Sequence, residues 1–430
     1  MTLAVTGGRV LRPDGSVERA DVLVDDGEVV AVEPEAGADQ NPETLDATES
    51  LVVPGLVNAH CHAPMTLMRG NADDKPLGPW LREDVWPVEA ELTPADVEAG
   101  AALGVLEQIR SGVTAFVDMY FAMDRVADVV DRAGVRALLG YGVISEGKDD
   151  ETAREELQAG RRFAEEYDGT ADGRVRTALM PHSLTTVEPH LLEECAEIAA
   201  GADLPLHVHA NETENEVEPI VAERGVRPLE FADDLGLLGP EAFVAHGVHC
   251  DEREIALLAE TGTGVAHCPA SNMKIASGAA PIADMLAAGV DVGVGTDGPA
   301  TNNDLDVFDE LRDAAMLAKL REDDASAVPA AQAFGLATQG AAAATGLPGG
   351  RVEPGAPADL AVVDLTAPHL TPVHDPVSHL AYAVRASDVR HTVCDGRVVM
   401  RDREVRTLDA ERVTERAARH ARDLFERASA

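Results

Sequence analysis

Leu51-Val52-Val53-Pro54-Gly55-Leu56-Val57-Asn58-Ala59-His60-Cys61-His62 decides the fold. The run is apolar without polar alternation, the pattern of a strand buried on both faces, and it ends on two histidines one residue apart. A strand's period of two puts both imidazoles on one face, where they can hold one ion at about 2.0 to 2.1 Å. Taken as a strand over residues 51–60, it is the first of eight, the others spanning 114–119, 136–143, 175–181, 206–210, 242–246, 264–267 and 291–296. Helical stretches fill the gaps. One announces its start with Thr93 as N-cap, Pro94 at the first helical position and acids in the first turn. Buried strands alternating with helices point to α/β architecture with a parallel sheet, and eight such units close naturally into a (β/α)8 TIM-type barrel.

The two ends of the chain have a different grammar. Residues 20–24 and 28–32 flank an Asp25-Asp26-Gly27 turn, and residues 389–393 and 397–401 flank Cys394-Asp395-Gly396, as in β-hairpins. With a further strand at 359–364, both ends are expected to share one sheet. The expected organisation is a small composite β-sandwich from 1–54 and 350–408, a metal-dependent barrel at 55–349, and a C-terminal helix at 409–430 that packs on the barrel or on a neighbour.

Composition excludes several classes of function. In 430 residues, 77 Asp and Glu against 35 Lys and Arg leave a net charge of -42. That field repels phosphate backbones and anionic lipid, so neither nucleic acid nor a membrane is expected as partner. The acids are scattered rather than blocked into a tail, which reads as a solvated, halophilic surface whose self-repulsion high salt would screen. Aromatics make up 3% of the chain, so Ala, Val and Leu must build the core. Five cysteines, odd in number and without a CxxC pair, suit a reducing cytoplasm better than a disulfide framework. No basic leader precedes an apolar run, and no span approaches the roughly 20 apolar residues of a membrane helix. A soluble cytoplasmic protein is expected, with a homo-oligomer left open.

Catalytic groups of such barrels sit at the carboxyl ends of the strands. The polar residues found there are His60, His62, His182, His209, His246, His267 and Asp297. A single motif carries little, because 14 histidines in this length give about 0.5 His-x-His patterns by chance. The concentration at strand ends counts for more. Glu212 follows His209 by three residues, so one group can bind metal while the other handles protons. His207, one layer deeper on the same pleat face, reads as a packed core histidine. Asp297 sits where the apolar Val294-Gly295-Thr296 breaks into a turn at Gly298. Three imidazoles and one carboxylate leave an open position for water on one divalent ion, as in a hydrolytic zinc site. The fourth strand has no lysine to bridge a second metal, so a single ion is expected.

Together with these residues, Met65-Thr66-Leu67-Met68-Arg69-Gly70, Trp86-Pro87-Val88-Glu89, Met180-Pro181-His182-Ser183, His209-Ala210-Asn211-Glu212-Thr213, His267-Cys268-Pro269-Ala270-Ser271-Asn272 and Gly295-Thr296-Asp297-Gly298 resemble the 5-methylthioadenosine/S-adenosylhomocysteine deaminases. This group belongs to the amidohydrolase superfamily and is close to the triazine chlorohydrolases. The similarity runs from about Gly8 to Val405 with order and spacing kept. It implies His60, His62, His209 and Asp297 as ligands of one divalent ion, most readily zinc. Glu89, His182, Glu212 and Asp297 would face a small nucleoside substrate, Glu89 through ribose hydroxyls and Glu212 at the purine ring. It further implies attack of activated water at C6 of adenine, with Asp297 or His246 taking the proton. Protonated Glu212 would donate to N1, and ammonia and an inosine-type product would leave.

The chain departs from that pattern at two places. Cys61 stands where the group usually has Thr, with a side chain expected to point away from the ion. Members that accept S-adenosylhomocysteine can use arginines after the third strand to pair with its carboxylate. Here Tyr141 lies near the first such place and Arg154 is the candidate for the second. The expected substrates therefore tilt towards 5-methylthioadenosine, adenosine or 5′-deoxyadenosine. Competing readings of the same metal site are guanine or cytosine deamination and triazine dechlorination. A catalytically inactive scaffold would have lost ligands, and all four are present.

Overall fold

The run at 51–60, expected as one strand, is two. Ser50–Pro54 pairs antiparallel with Leu360–Asp364, whereas Leu56–Cys61 pairs parallel with Val113–Tyr120. The chain changes sheets at Gly55, where a Cβ would come within 2.2 Å of Thr114 Oγ1, so glycine alone permits the crossing. These coordinates come from a computed structural model that describes residues 2–38 and 41–429. The outermost positions of the expected units, 1 and 430, lie outside the described residues.

The parallel strands, in chain order, are β1 (Leu56–Cys61), β2 (Val113–Tyr120), β3 (Arg136–Val143), β4 (in two pieces, Val175–Thr177 and Met180–Pro181), β5 (Leu206–Ala210), β6 (Ala242–His246), β7 (Gly264–His267) and β8 (Val292–Val294). β1 to β4 form one sheet and β5 to β8 a second, each in sequence order. Isolated parallel bridges span both seams. Leu179 pairs with Leu206 and Ser183 with His209 between β4 and β5, and Cys61 pairs with Asp297 between β1 and the end of β8. Alternate residues divide between two cores, as a pleat requires. Val57, Ala59, Ala115, Val117, Met119, Leu138 and Phe243 share one small core, while Leu56, Phe116 and Leu139 face a larger one with the helices.

Both chain ends meet in a seven-stranded sheet in which Ser50–Pro54 and Arg9–Leu11 from the N-terminal part adjoin Leu360–Asp364 and Val389–Cys394 from the C-terminal part. A four-stranded sheet holds the expected hairpin at Asp25 and Glu28. Leu3, Val22 and Val24 of that sheet share a core with Val52, Leu360, Val362 and Val393 of the larger one. Arg136, at the amino end of β3, ties this region to the parallel strands by donating to Asp359 at 2.8 Å and to Asp395 at 2.6 Å.

The helix Pro94–Arg110 begins with a reciprocal cap. Thr93 Oγ1 accepts from Asp96 N at 3.3 Å, and Asp96 Oδ2 accepts from Thr93 N at 2.9 Å. Against it lies the C-terminal helix Ala410–Ala428, held by His420 to Asp96 at 2.7 Å and Arg416 to Glu98 at 2.9 Å. The terminal helix thus packs on its own chain. No helix among the described residues is long and apolar enough to cross a membrane.

Candidate metal centre

His60, His62, His209, His246 and Asp297 converge at the carboxyl ends of β1, β5, β6 and β8, and all are buried. The ligand atoms of His60, His62 and Asp297 lie within 4.8 Å of one another, as do those of His60, His209 and His246. Asp297 Oδ1 is 3.2 Å from His62 Nε2 and 3.6 Å from His60 Nε2, and His60 Nε2 is 3.1 Å from His209 Nε2.

Hydrogen bonds behind the rings decide which nitrogen faces inward. His62 Nδ1 donates to Met119 O at 2.6 Å and His209 Nδ1 to His182 O at 2.6 Å, because a carbonyl can only accept. His60 is set through another ring. His207 Nδ1 donates to Phe243 O at 3.0 Å, which leaves His207 Nε2 as acceptor of the His60 Nδ1 proton at 2.8 Å. The Nε2 atoms of His60 and His209 consequently turn lone pairs towards each other at 3.1 Å. Burial holds His60 down to about 4 and His209 well below its ordinary value, so no proton bridges them near neutrality. At His62, Asp297 overcomes the effect of burial and raises proton affinity. Positive charge is favoured at this point. Neutral imidazoles with a carboxylate form a donor set that fits a divalent ion.

Asp297 is prepared for that role. Its Oδ2 accepts from Ser271 Oγ at 2.5 Å and Thr301 Oγ1 at 3.2 Å, and Oδ1 accepts from Gly298 N at 2.8 Å. Burial would raise its pKa, but His60 and His62 hold it well below the ordinary carboxyl range. At Gly295 a Cβ would stand 2.7 Å from His60 N, so this glycine lets β8 approach β1 and bring Asp297 beside His60. Asp297 and His246 both adopt left-handed backbone, with φ of 60° and 74°. Such conformations cost about 1–3 kcal/mol each and concentrate at functional sites. His246 Nδ1 donates to Asn272 Oδ1 at 2.9 Å, leaving an unprotonated Nε2 3.6 Å from Glu212 Oε2.

A cavity of about 830 Å³ opens over this cluster. His62, Glu89, His182, His209, Glu212, His246 and Asp297 line it, and His60 is in contact beneath them. Burial, reinforced by Glu216 and Asp297, pushes Glu212 well above the ordinary carboxyl value, which favours its protonated form. Glu89 is pushed up to about 7 by burial, against a hydrogen bond from Tyr120 Oη at 2.7 Å. His182, held at about 3 by burial, bonds Thr186 Oγ1 at 2.8 Å through Nδ1.

Other residues singled out in the sequence lie outside the cavity, Cys61 as expected. His267 is buried outside the cavity lining. Cys61 packs in the larger hydrophobic core, away from the cavity. Tyr141 faces the outer helix Asp150–Tyr167, its ring 5.5 Å from that of Phe163, and Arg154 is bound by Asp150 and Glu194. Neither lines the cavity, so Arg154, the candidate second partner for a substrate carboxylate, does not face it. Conversely, His207 is more than packing, since it fixes the His60 tautomer. The second His-x-His pattern was its only signal in the sequence. Tyr120, Ser271, Asn272 and Thr301, which hold Glu89, Asp297 and His246, carried no individual signal.

Residues 51–399 match the model of the amidohydrolase family. The chain is 62% identical over 428 residues, covering 99% of both chains, to 5-methylthioadenosine/S-adenosylhomocysteine deaminase of Haloarcula marismortui. It is 43% identical to 5'-deoxyadenosine deaminase of Methanothermobacter thermautotrophicus, over 98% of this chain and 99% of the relative. Among solved structures, an adenosine deaminase from Xanthomonas campestris with bound zinc superposes with a TM-score of 0.92 at 36% identity, over 99% of this chain and 98% of that one.

Proposed function

The chain belongs to the amidohydrolase family, and we propose that it is a zinc-dependent hydrolytic deaminase that converts an adenosine-type nucleoside to its inosine analogue and ammonia. One observation carries this reading. A single cavity presents His209, backed by the facing lone pair of His60, a Glu212 whose burial favours its protonated form, and a carboxyl, Glu89, set for hydroxyl donors. Relatives that deaminate 5-methylthioadenosine, S-adenosylhomocysteine and 5′-deoxyadenosine point to the same substrate class.

A divalent ion held by His60, His62, His209 and Asp297 would supply water activated for attack near neutral pH. The protein supplies the rest. Asp297 or His246 receives the proton of that water; His246 offers the unprotonated Nε2 beside Glu212. Glu212 gives its proton to N1 as C6 becomes tetrahedral, neutralising charge that would otherwise build on the ring. Asp297 or His246 returns the proton taken from the water to the exocyclic amine, the C6–N bond breaks and ammonia departs, and the proton released as the C6 hydroxyl becomes a carbonyl restores the acid form of Glu212. Glu89, aligned by Tyr120, accepts from ribose hydroxyls, and His182 packs beside His209 at a ring separation of 4.8 Å to face the substrate. Guanine, cytosine and triazines lack those hydroxyls, which disfavours them.

The same reading extends to the fold. The two parallel sheets with their seam bridges form one closed (β/α)8 barrel over 55–349, the shared core of the end sheets makes a β-sandwich of 1–54 and 350–408, and 409–430 is an added helix. The net charge of -42 supports a working place in salty cytoplasm. Ammonia release and ultraviolet spectra in molar potassium chloride with zinc test the activity on 5-methylthioadenosine, S-adenosylhomocysteine, 5′-deoxyadenosine, adenosine, guanine and a chlorotriazine. Turnover confined to the adenosines, falling about 10²- to 10⁴-fold in Glu212→Gln, is expected. Turnover of guanine or the triazine alone would overturn the assignment of Glu89.

A further inference from the structure

We propose that Arg82, with the rim carboxylates Glu146 and Glu214, forms a subsite for a zwitterionic amino-acid tail at the 5′ position of the nucleoside, so that S-adenosylhomocysteine is held at both of its ends. The proposal rests on the deaminase reading and adds the part of the substrate that reading leaves unassigned.

Arg82 is the one Arg or Lys among the described residues that line the cavity. It is exposed and makes no hydrogen bond or ion pair to another described residue. Nearby, Lys75 is already neutralised by Glu83 at 3.2 Å and Asp84 at 2.5 Å, which leaves Arg82 as the open cation of this wall. A planar guanidinium left open at the edge of a cavity is suited to pair with a carboxylate in two parallel hydrogen bonds. Glu146, after β3, and Glu214, after β5, line the same cavity, are exposed, and make no ion pair with another described residue. One free cation and two free anions at one mouth complement an ammonium and a carboxylate carried on one carbon.

The distance is right as well. Arg82 and Glu89 belong to one continuous helical wall, Leu77–Trp80, Leu81–Val85 and Trp86–Glu89, and both side chains line the cavity. Seven residues of helical rise place them about 10 Å apart along that wall. With ribose hydroxyls at Glu89, a 5′ substituent running along the wall to solvent meets Arg82 at the reach of a homocysteine chain. The segment Leu81–Val85 is a π-helical turn, a widening found often at functional sites, and Arg82 lies within it. Tyr141 and Arg154 offer no competing anchor, being outside the lining. A 5′-phosphate carries two negative charges and no ammonium, so the acidic rim rejects nucleotides.

The test compares S-adenosylhomocysteine with 5-methylthioadenosine, which shares its nucleoside and thioether but has no charged tail. Arg82→Gln is expected to raise the ratio of their KM values about three- to tenfold and to leave the ratio of their kcat values unchanged. In the unsubstituted protein the same KM ratio should rise as potassium chloride is increased, and in Arg82→Gln it should be flat. The decarboxylated analogue 5′-(3-aminopropylthio)-5′-deoxyadenosine should show no dependence on Arg82. An unchanged KM ratio in Arg82→Gln, or the same shift with the decarboxylated analogue, overturns the subsite. Calorimetric affinities of the two thioethers read that ratio without turnover. Failure of deamination and failure of the subsite are therefore seen separately.

Discussion

The amino and carboxyl ends of the parallel strands follow opposite rules. At the amino end of β3, Arg136 is charged between two carboxylates, and Asp359 also takes the Asp395 N–H at 2.7 Å, so the buried charges are partnered. At the carboxyl ends, two imidazoles turn lone pairs on each other, and Glu212 is buried with no cation beside it, which favours its protonated form. The first end is complete as protein alone. The second is the end that the proposed function completes with a cation and a substrate, which separates what holds the molecule together from what would make it work.

Removing the cation's carboxylate should break activity and spare the fold. Asn tolerates the left-handed backbone at 297, so Asp297→Asn is expected to lose about 10⁴-fold in kcat, together with the divalent ion that the proposed function places there. Its thermal midpoint should stay within a few degrees of the metal-free unsubstituted protein, because neither then has a cation at the site. Metal analysis and calorimetric melting check this, and a variant that fails to fold would erase the distinction between the two ends.

The opposite result is expected at the other end. Arg136→Met leaves Asp359, 1% exposed in its side chain, without its cation, and breaking a buried pair in this way costs about 3–5 kcal/mol. Urea unfolding should show that loss while kcat of the folded fraction is retained. Loss of kcat with stability kept would mean that the amino end reaches into the chemistry.

This division also explains what was legible in the sequence. Apolar runs ending on His or Asp located the strands and the side chains that converge at their carboxyl ends, because burial on both faces and placement at strand ends are local properties. The Pro54-Gly55 crossing was hidden because it interrupts no apolar pattern. β4 splits where Ala178 N turns to Leu139 O and Leu179 N to Pro205 O, pairings with distant chain that no window of sequence contains. Parity could have settled Tyr141. It shares a face with Leu139, which packs outward, whereas Gly142 on the opposite face lines the cavity. The role of His207 was beyond a pattern, since a tautomer depends on where the Phe243 carbonyl falls.

The smallest expected effect concerns a group poised between the two rules. Glu89 is half-buried at the cavity wall with Tyr120 as its one described side-chain partner, and burial lifts it from the ordinary 4.5 to about 7. A carboxyl raised in the folded state favours the fold when protonated. That contribution is complete below about 4.5 and declines as pH rises through 7. Substrate binding has the opposite sign, because only the ionised carboxylate can accept from two ribose hydroxyls. Between pH 6 and 8 the ionised fraction grows about tenfold, so KM for 5-methylthioadenosine should fall by about that factor over this range. Glu89→Gln should flatten the KM profile and remove the loss of stability between about pH 4.5 and 7. A KM that does not vary with pH in the unsubstituted protein would place the ribose away from Glu89 and return this carboxyl to the partnered end of the comparison.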